Sequence, residues 1–341
     1  MASTYDATLE DLAGLLEGEP RYRLDQLVDG LYRQFKRPAE VQTLPGELRA
    51  RLEEALPAAL HEVVKREADD GATTKWLFGL ANGAQVETVL MRYEDRVTAC
   101  VSSQAGCAMA CSFCATGQHG FTRHLTSGEI VEQVVRAARE AQPRRLSNIV
   151  FMGMGEPLAN FDALWRAIEV IHGEIGISAR HLTVSTVGIL PGIRRLAVAP
   201  LPVNLAVSLH AARDELRSEL VPINKRYPIA DLVETLQRYA ESTRRRISFE
   251  WALIDRVNDT GRDATELAAI ARGLGAHVNL IPLNPTPGYA VRGTPPEGVA
   301  RFVEDLEAYG VNVTVRSTRG QEIDAACGQL AGTRVELGRR D

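Results

Sequence analysis

The sequence predicts an α/β fold, an incomplete (β/α)6 barrel with a small helical N-terminal domain and a β-hairpin ahead of it. Three observations carry that expectation. Beyond Tyr93, six short apolar segments alternate with helix-like ones, the pattern of parallel β/α units. Leucines recur at helical spacing through residues 5–67, and Asn82-Gly83 stands between two strand-like runs, a strong short-range hairpin signal.

In chain order, residues 5–67 read as helices. Leu9, Leu12, Leu15 and Leu16 form one stripe, Leu24, Leu27, Val28 and Leu31 a second, and Leu48, Leu52 and Leu56 a third. Asp69-Asp70-Gly71 breaks the pattern, and strands over 75–80 and 85–91 flank Asn82-Gly83, with Glu87 on the second. The barrel strands are expected over 97–102, 148–152, 181–185, 203–208, 247–253 and 278–283. Thr126-x-x-Glu129 is a capping box that opens a helix over 126–140, with Ile130, Val134 and Ala138 on one stripe. Six β/α units leave a barrel open on one side to admit a large substrate, and functional residues gather at the C-terminal ends of such strands. The division that follows is a helical accessory domain over 1–70, a hairpin over 71–95, a core over 96–318 and a tail over 319–341.

With 341 residues, 45% of them hydrophobic, the chain can bury a large core. No apolar run approaches the roughly 18 residues of a membrane span. Residues 1–20 are acidic and polar rather than a secretion signal, so a cytoplasmic protein without membrane partners is expected. A net charge of −5 gives no sign of a nucleic-acid binder. The distribution says more: Arg21, Arg23, Arg33, Lys36 and Arg37 are interleaved with Tyr22, Tyr32 and Phe35, and further basic clusters stand at Arg144-Arg145, Arg194-Arg195, Lys225-Arg226, Arg244-Arg245-Arg246 and Arg339-Arg340. Together they permit RNA without requiring it.

All five cysteines fall in two places. Cys100, Cys107, Cys111 and Cys114 lie close together, and Cys327 stands alone near the C-terminus. An odd count so distributed argues for a reducing compartment and a metal rather than a disulfide framework. Cys107, Cys111 and Cys114 form C-x3-C-x2-C, which lets three thiolates converge from one loop. A 4Fe-4S cluster in an electron carrier and a structural zinc are each usually held by four protein ligands. Three thiolates leave an iron open to bind an amine and a carboxylate. The alternative is a zinc knuckle completed by Cys100, His119 or His124, for which the second C-x2-C or H-x3-H half is missing.

The strand ends carry further polar groups. Met152-Gly153-Met154-Gly155-Glu156-Pro157 joins glycines, which let backbone approach a ligand, to a carboxylate that accepts from an ammonium group. It is not completed as G-x-G-x-x-G and lacks the lysine of a P-loop. Ser185 ends the third strand, Ser208 with Leu209 and His210 the fourth, and Asn284 the sixth.

With these motifs and the run Arg319-Gly320-Gln321-Glu322-Ile323-Asp324-Ala325-Ala326-Cys327-Gly328-Gln329-Leu330, the chain resembles the RlmN family of radical S-adenosylmethionine RNA methyltransferases along nearly its whole length. The most specific pieces are Cys100-Val101-Ser102-Ser103-Gln104-x-Gly106-Cys107 and Ala325-Ala326-Cys327-Gly328-Gln329-Leu330. The resemblance implies a radical S-adenosylmethionine core, an RNA-binding N-terminal domain, one 4Fe-4S cluster on Cys107, Cys111 and Cys114, and two S-adenosylmethionine molecules per turnover. It implies methylation at C2 of an adenosine in the peptidyl-transferase centre of 23S ribosomal RNA, and of an adenosine beside the anticodon in some tRNAs. Because that carbon is electrophilic, a carbon radical must be added to it. By the resemblance, Cys327 accepts the methyl group, a radical from a second cofactor activates it, and Cys100 resolves the protein–RNA adduct by closing a disulfide with Cys327. Glu87 matches the family's proton acceptor, and Gly155, Glu156, Ser185, Ser208, Leu209, His210 and Asn284 match its S-adenosylmethionine contacts. Flavodoxin or ferredoxin as reductant and a monomeric state are also implied. The Cfr-like branch, which methylates C8 of the same base, is the nearest alternative; Gly155-Glu156-Pro157 and Arg319-Gly320 are closer to RlmN. A zinc-bearing RNA-binding module is the alternative of another class.

Overall fold

The computed structural model describes residues 3–286, 289, 291–316 and 320–330; Arg319 and the Arg339-Arg340 pair lie outside these. A ten-stranded sheet forms the centre. Its first strands, β1 (Leu60–Ala68), β2 (Thr73–Leu80) and β3 (Gln85–Arg92), run antiparallel, and β3 pairs antiparallel with β4 (Val97–Cys100). A separate ladder, β5 (Gln104–Gly106) with β6 (Phe121–His124), brackets the cysteine run. From β4 the sheet continues in parallel through β7 (Asn148–Phe151), β8 (Leu182–Thr186), β9 (Asn204–Ser208), β10 (Ile247–Leu253), β11 (His277–Pro282) and β12 (Asn312–Val315). The sheet order leaves β1 and β12 as its edges, so the barrel is open.

Ahead of the sheet lie α1 (Leu9–Leu15), α2 (Tyr22–Val28) and α3 (Gly46–Ala55), whose Leu12, Leu27, Leu48 and Leu52 are buried. Helix α4 (Ala115–Gln118) closes the cysteine run. The crossovers are α5 (Ser127–Ala141), α6 (Phe161–Gly173), α7 (Leu190–Ala197), α8 (Asp214–Leu220) with α9 (Ile229–Thr243), α10 (Gly261–Leu274) and α11 (Pro296–Ala308). Helix α5 starts at the predicted box: the Thr126 hydroxyl accepts from the Glu129 amide, and the Glu129 carboxylate accepts from the Thr126 amide. Ile130, Val134 and Ala138 are buried against the sheet. The N-terminal segment seats on this helix, because Asp6 accepts from the Gly128 amide at 2.7 Å, a carboxylate at a helix N-terminus, and Glu40 pairs with Arg139.

Two expectations are corrected. Helix was read through residue 67, yet Leu60–Ala68 is the edge strand β1. Six parallel strands were read, yet β12 adds a seventh. The short ladder of β5 and β6 was not expected either. The strands that were expected lie within a residue or two of their places, and the parallel ones point their C-terminal ends at one region.

Across the sheet the register aligns Lys75 with Val89, Val89 with Cys100, and Cys100 with Val150. Paired residues share a face of the sheet, so Lys75 on β2 and Cys100 on β4 stand in one row, two strand spacings or about 10 Å apart. The antiparallel strands are thereby part of the wall that holds the site.

Candidate active site

Two adjoining cavities occupy the strand ends, and Cys327 lines both. One is walled mainly by apolar groups and sulfur: Val89, Cys100, Val150, Met152, Ala326 and Leu330. The other is more polar, with Glu156, Ser185, Ser208, His210 and Glu250 beside Cys111 and Cys114. Met152, Ile281, Asn284 and Arg316 belong to both walls.

Cys107, Cys111 and Cys114 are rooted at opposite ends of a tight loop. The Cys107 amide donates to Gly120 O at 2.8 Å and the Cys114 amide to Cys111 O at 3.2 Å, while Cys111 packs with Phe113, Ala211 and Val221. Burial pushes the Cys107 thiol up to about 12, Cys111 well above its ordinary value and Cys114 upward, and Cys114 adds to the rise at both of the others. Among the described residues, no three His, Cys, Asp or Glu side chains gather as a site for a single metal ion. The donor set is soft: three thiolates suit an iron–sulfur cluster, and bound metal would drive off the protons that burial now holds. Each residue considered as a fourth ligand is engaged elsewhere. Cys100 lies in the apolar cavity beside Cys327, His119 Nδ1 bonds Ala115 O at 2.7 Å, and His124 Nδ1 bonds Gln104 Nε2 at 3.0 Å. The residues present therefore fit a cluster that three thiolates would hold, and two of them, Cys111 and Cys114, line the polar cavity.

Glu156 lines that cavity and is buried. Its oxygens accept from the Leu158 amide at 3.0 Å and the Val187 amide at 2.8 Å, tying the end of β7 to the end of β8. Burial raises its carboxyl to about 7, against the pull of those donors. Gly155 is at φ +103, where a Cβ would stand 2.6 Å from Gln104 Cβ, so only glycine allows this close approach. Ser185 Oγ and Ser208 Oγ face each other at 3.5 Å. His210 sits at φ +60 and its Nδ1 accepts from the Ala252 amide at 3.0 Å. Burial, then the charge of Arg217, lowers it to about 3, so the ring is neutral and carries its proton on Nε2. Leu209 turns its side chain into the core.

Asn284 donates to Cys327 O at 3.0 Å, and Arg316 donates to Cys327 Sγ at 3.5 Å. Glu87 is buried on β3 with its carboxylate 3.4 Å from the Lys75 ammonium. Sequence reasoning missed four residues. Nothing in the sequence singled out Arg316 or Lys75. Glu250, bonded to Asn279 at 2.8 Å and 3.8 Å from Arg316, lay mid-strand. Arg217, fully buried, donates to Leu209 O, Val187 O and Asn224 and so laces the ends of β8 and β9 together. The mid-strand position of Glu250 in an apolar run was the one available signal.

The family model described as "Radical SAM superfamily" matches residues 101–268. A protein of Parafrankia sp. (strain EAN1pec) named "Probable dual-specificity RNA methyltransferase RlmN" is 53% identical over 334 residues, covering 92% of this chain and 87% of its own length. A Chloroflexus aurantiacus protein of the same name is 50% identical over 346 residues, covering 96% of this chain and 92% of its own. The crystal structure of a radical SAM methyltransferase from Sphaerobacter thermophilus superposes with a TM-score of 0.94 at 50% identity, over 97% of this chain and 100% of that one. With its three-thiol loop facing a glycine- and serine-lined cavity, the chain belongs to the RlmN family of the radical SAM superfamily.

Proposed function

We propose that the protein methylates C2 of an adenosine in the peptidyl-transferase centre of 23S ribosomal RNA, and of an adenosine beside the anticodon in tRNA, acting in the cytoplasm as a monomer reduced by a flavodoxin or ferredoxin. The single observation that carries this reading is Cys327 on the wall shared by both cavities, with Cys100 lining one and Cys111 and Cys114 lining the other. A thiol at that junction can take up a carbon on one side and deliver it on the other.

When bound, a 4Fe-4S cluster and two molecules of S-adenosylmethionine per turnover supply the methyl carbon and the one-electron chemistry. The residues of the chain do the rest. Cys107, Cys111 and Cys114 hold the cluster; Gly155, Glu156, Ser185, Ser208, His210 and Asn284 orient the amine, carboxylate and ribose, with Leu209 shaping the turn. Arg316 stabilises negative charge on Cys327, which takes the methyl group on sulfur. Glu87 accepts the proton leaving the ring carbon. The Cys100 sulfur then attacks the Cys327 sulfur, joining the two in a disulfide as the bond from Cys327 to the transferred carbon breaks; that carbon keeps the electron pair and takes up a proton to leave as the methyl group. The step is aided by the cavity the two thiols share, since aligned intramolecular partners remove roughly 7 to 11 kcal/mol of barrier.

Mass spectrometry of nucleosides from ribosomal and transfer RNA of cells with and without this protein tests the reading. Loss of 2-methyladenosine in the deficient cells supports it. A product methylated only at C8 overturns it, as does anaerobically purified protein that holds zinc and neither iron nor sulfide.

A further inference from the structure

We propose that Lys75 is a positioning residue, fixing the Glu87 carboxylate and the Cys327-bearing tail relative to each other. The inference rests on the reading above, in which Glu87 takes a proton from the carbon that Cys327 alkylates.

Lys75 occupies the middle of β2, whose every residue is buried, and its side chain is only 8% exposed. Burying an ammonium costs several kcal/mol unless partners replace its water. Its nitrogen finds Glu87 Oε1 at 3.4 Å and Asp324 O at 3.1 Å. The first contact is long for a charge-assisted bond, which usually lies near 2.7–2.9 Å. An ion pair kept for fold stability alone gains little at that length. What the ammonium does gain is two groups at once: the carboxylate on the neighbouring strand, and a main-chain carbonyl three residues before Cys327.

The tail is tied down in sequence. The Gly320 amide donates to Asp69 Oδ2 at 3.0 Å, in the turn between β1 and β2. Asp324, at φ +54, turns the chain and presents its carbonyl to Lys75. Beyond it Asn284 holds Cys327 O, and the Ala115 amide holds Gly328 O at 2.8 Å. Lys75 is thus the anchor on the N-terminal side of the reactive sulfur, and the cysteine loop supplies one on the other side. Because Lys75 also shares a sheet row with Cys100, the paired strands β2, β3 and β4 set the distances among the proton acceptor, the carrier thiol and the resolving thiol. During resolution the C–H bond at the alkylated ring carbon breaks: its proton passes to the Glu87 carboxylate, its electron pair stays with the ring, and the unpaired electron left by radical addition passes to a one-electron acceptor, for which the oxidised iron–sulfur cluster of the reading above would serve. The proton transfer needs the carboxylate within hydrogen-bond reach of the carbon that the tail delivers.

The test uses the full-length, cluster-loaded enzyme with RNA substrate, comparing Lys75→Met, Lys75→Arg and Glu87→Gln. Expected for Lys75→Met is a fall in product of about 100-fold, the lower range for a lost acid–base group, with protein–RNA adduct accumulating on denaturing gels as in Glu87→Gln. In the RNA-free protein, alkylation of Cys327 by iodoacetamide speeds up several-fold as the tail loosens. Lys75→Arg restores most product. Should Lys75→Met fail to fold, Lys75→Gln carries the same comparison. Wild-type turnover in the uncharged variant overturns the proposal. So does product lost without adduct while Glu87→Gln traps it, the result of a merely structural lysine. If Glu87→Gln itself turns over normally, the role given to Glu87 is wrong, and the tail contact then stands or falls on the alkylation rate alone.

Discussion

Cys100 and Cys327 line the same cavity, yet their surroundings are opposite. Cys100 is buried on β4, paired in register with Val89 and Val150, and desolvation pushes its thiol up to about 12. Cys327 is exposed, on a tail held by single hydrogen bonds, with a guanidinium at its sulfur. A sulfur that attacks a sulfonium carbon must be anionic and able to move; one that waits for an adduct must keep its proton and stay put. The difference teaches that two chemically identical side chains are set apart by strand against tail and by burial against an adjacent cation, which is what the proposed division of labour between them requires.

Breaking either half of the pair has the largest effect. Cys327→Ala is expected to retain iron and sulfide and to form no methylated RNA. Cys100→Ala also retains its cluster, but traps protein covalently on RNA. Loss of cluster in either variant, by iron and sulfide analysis, would mean that these thiols are ligands. Alkylation sharpens the contrast without mutation. A thiol held near 12 is thiolate in about one molecule in 10⁴ at pH 8, so iodoacetamide is expected to label Cys327 and spare Cys100 until the protein is denatured, as peptide mass spectrometry would show.

Glu156 extends the comparison to a buried acid that, unlike Cys100, has two main-chain donors on its carboxylate. Its folded value still rises from 4.5 to about 7. The folded state therefore holds this proton more tightly than the unfolded chain does. The stability it contributes is full below pH 4.5 and is lost as pH rises through 7, on the order of 3 kcal/mol. Denaturant unfolding of the cluster-free protein at pH 5 and pH 8 is expected to show that loss. Glu156→Gln, which cannot ionise, loses about 1 kcal/mol at pH 5 from a mismatched donor and changes less between the two pH values. An equal pH slope in both proteins would place the titration elsewhere.

How much of this was legible in sequence follows from where each signal is stored. The β/α alternation, the hairpin and the cysteine spacing are local patterns, and the strands around the site lie where periodicity put them. The strand β1 was misread because Leu60, Val63, Val64 and Ala68 recur at helical intervals; the register shift between Glu62 and Val64 inserts the extra residue that hides a period of two. The strand β12 escaped because it is four residues long and largely exposed, with Asn312 bonded to His277 and Thr314 to Asn279 in place of an apolar stripe. Lys75 and Arg316 escaped for a different reason. Nothing local marks a basic residue as buried, and their partners are distant in the chain: Asp324 for one, Glu250 for the other.

Arg316 supplies the smallest of these effects and the most direct probe of the contrast between the two thiols. Its guanidinium stands between Cys327 Sγ at 3.5 Å and Glu250 at 3.8 Å, and the cysteine's charge is the first cause raising its own affinity for a proton. The guanidinium donates to the Cys327 sulfur while Glu250 fixes its direction. Arg316→Gln keeps a donor, on a shorter side chain, and removes the charge. Self-methylation of Cys327 and its alkylation are then both expected to slow about tenfold, or about 1.4 kcal/mol of lost stabilisation, while Cys100 stays unlabelled. If the two thiols instead converge in reactivity, the charge has been steering both; if Cys327 keeps its rate, exposure rather than the guanidinium separates it from Cys100.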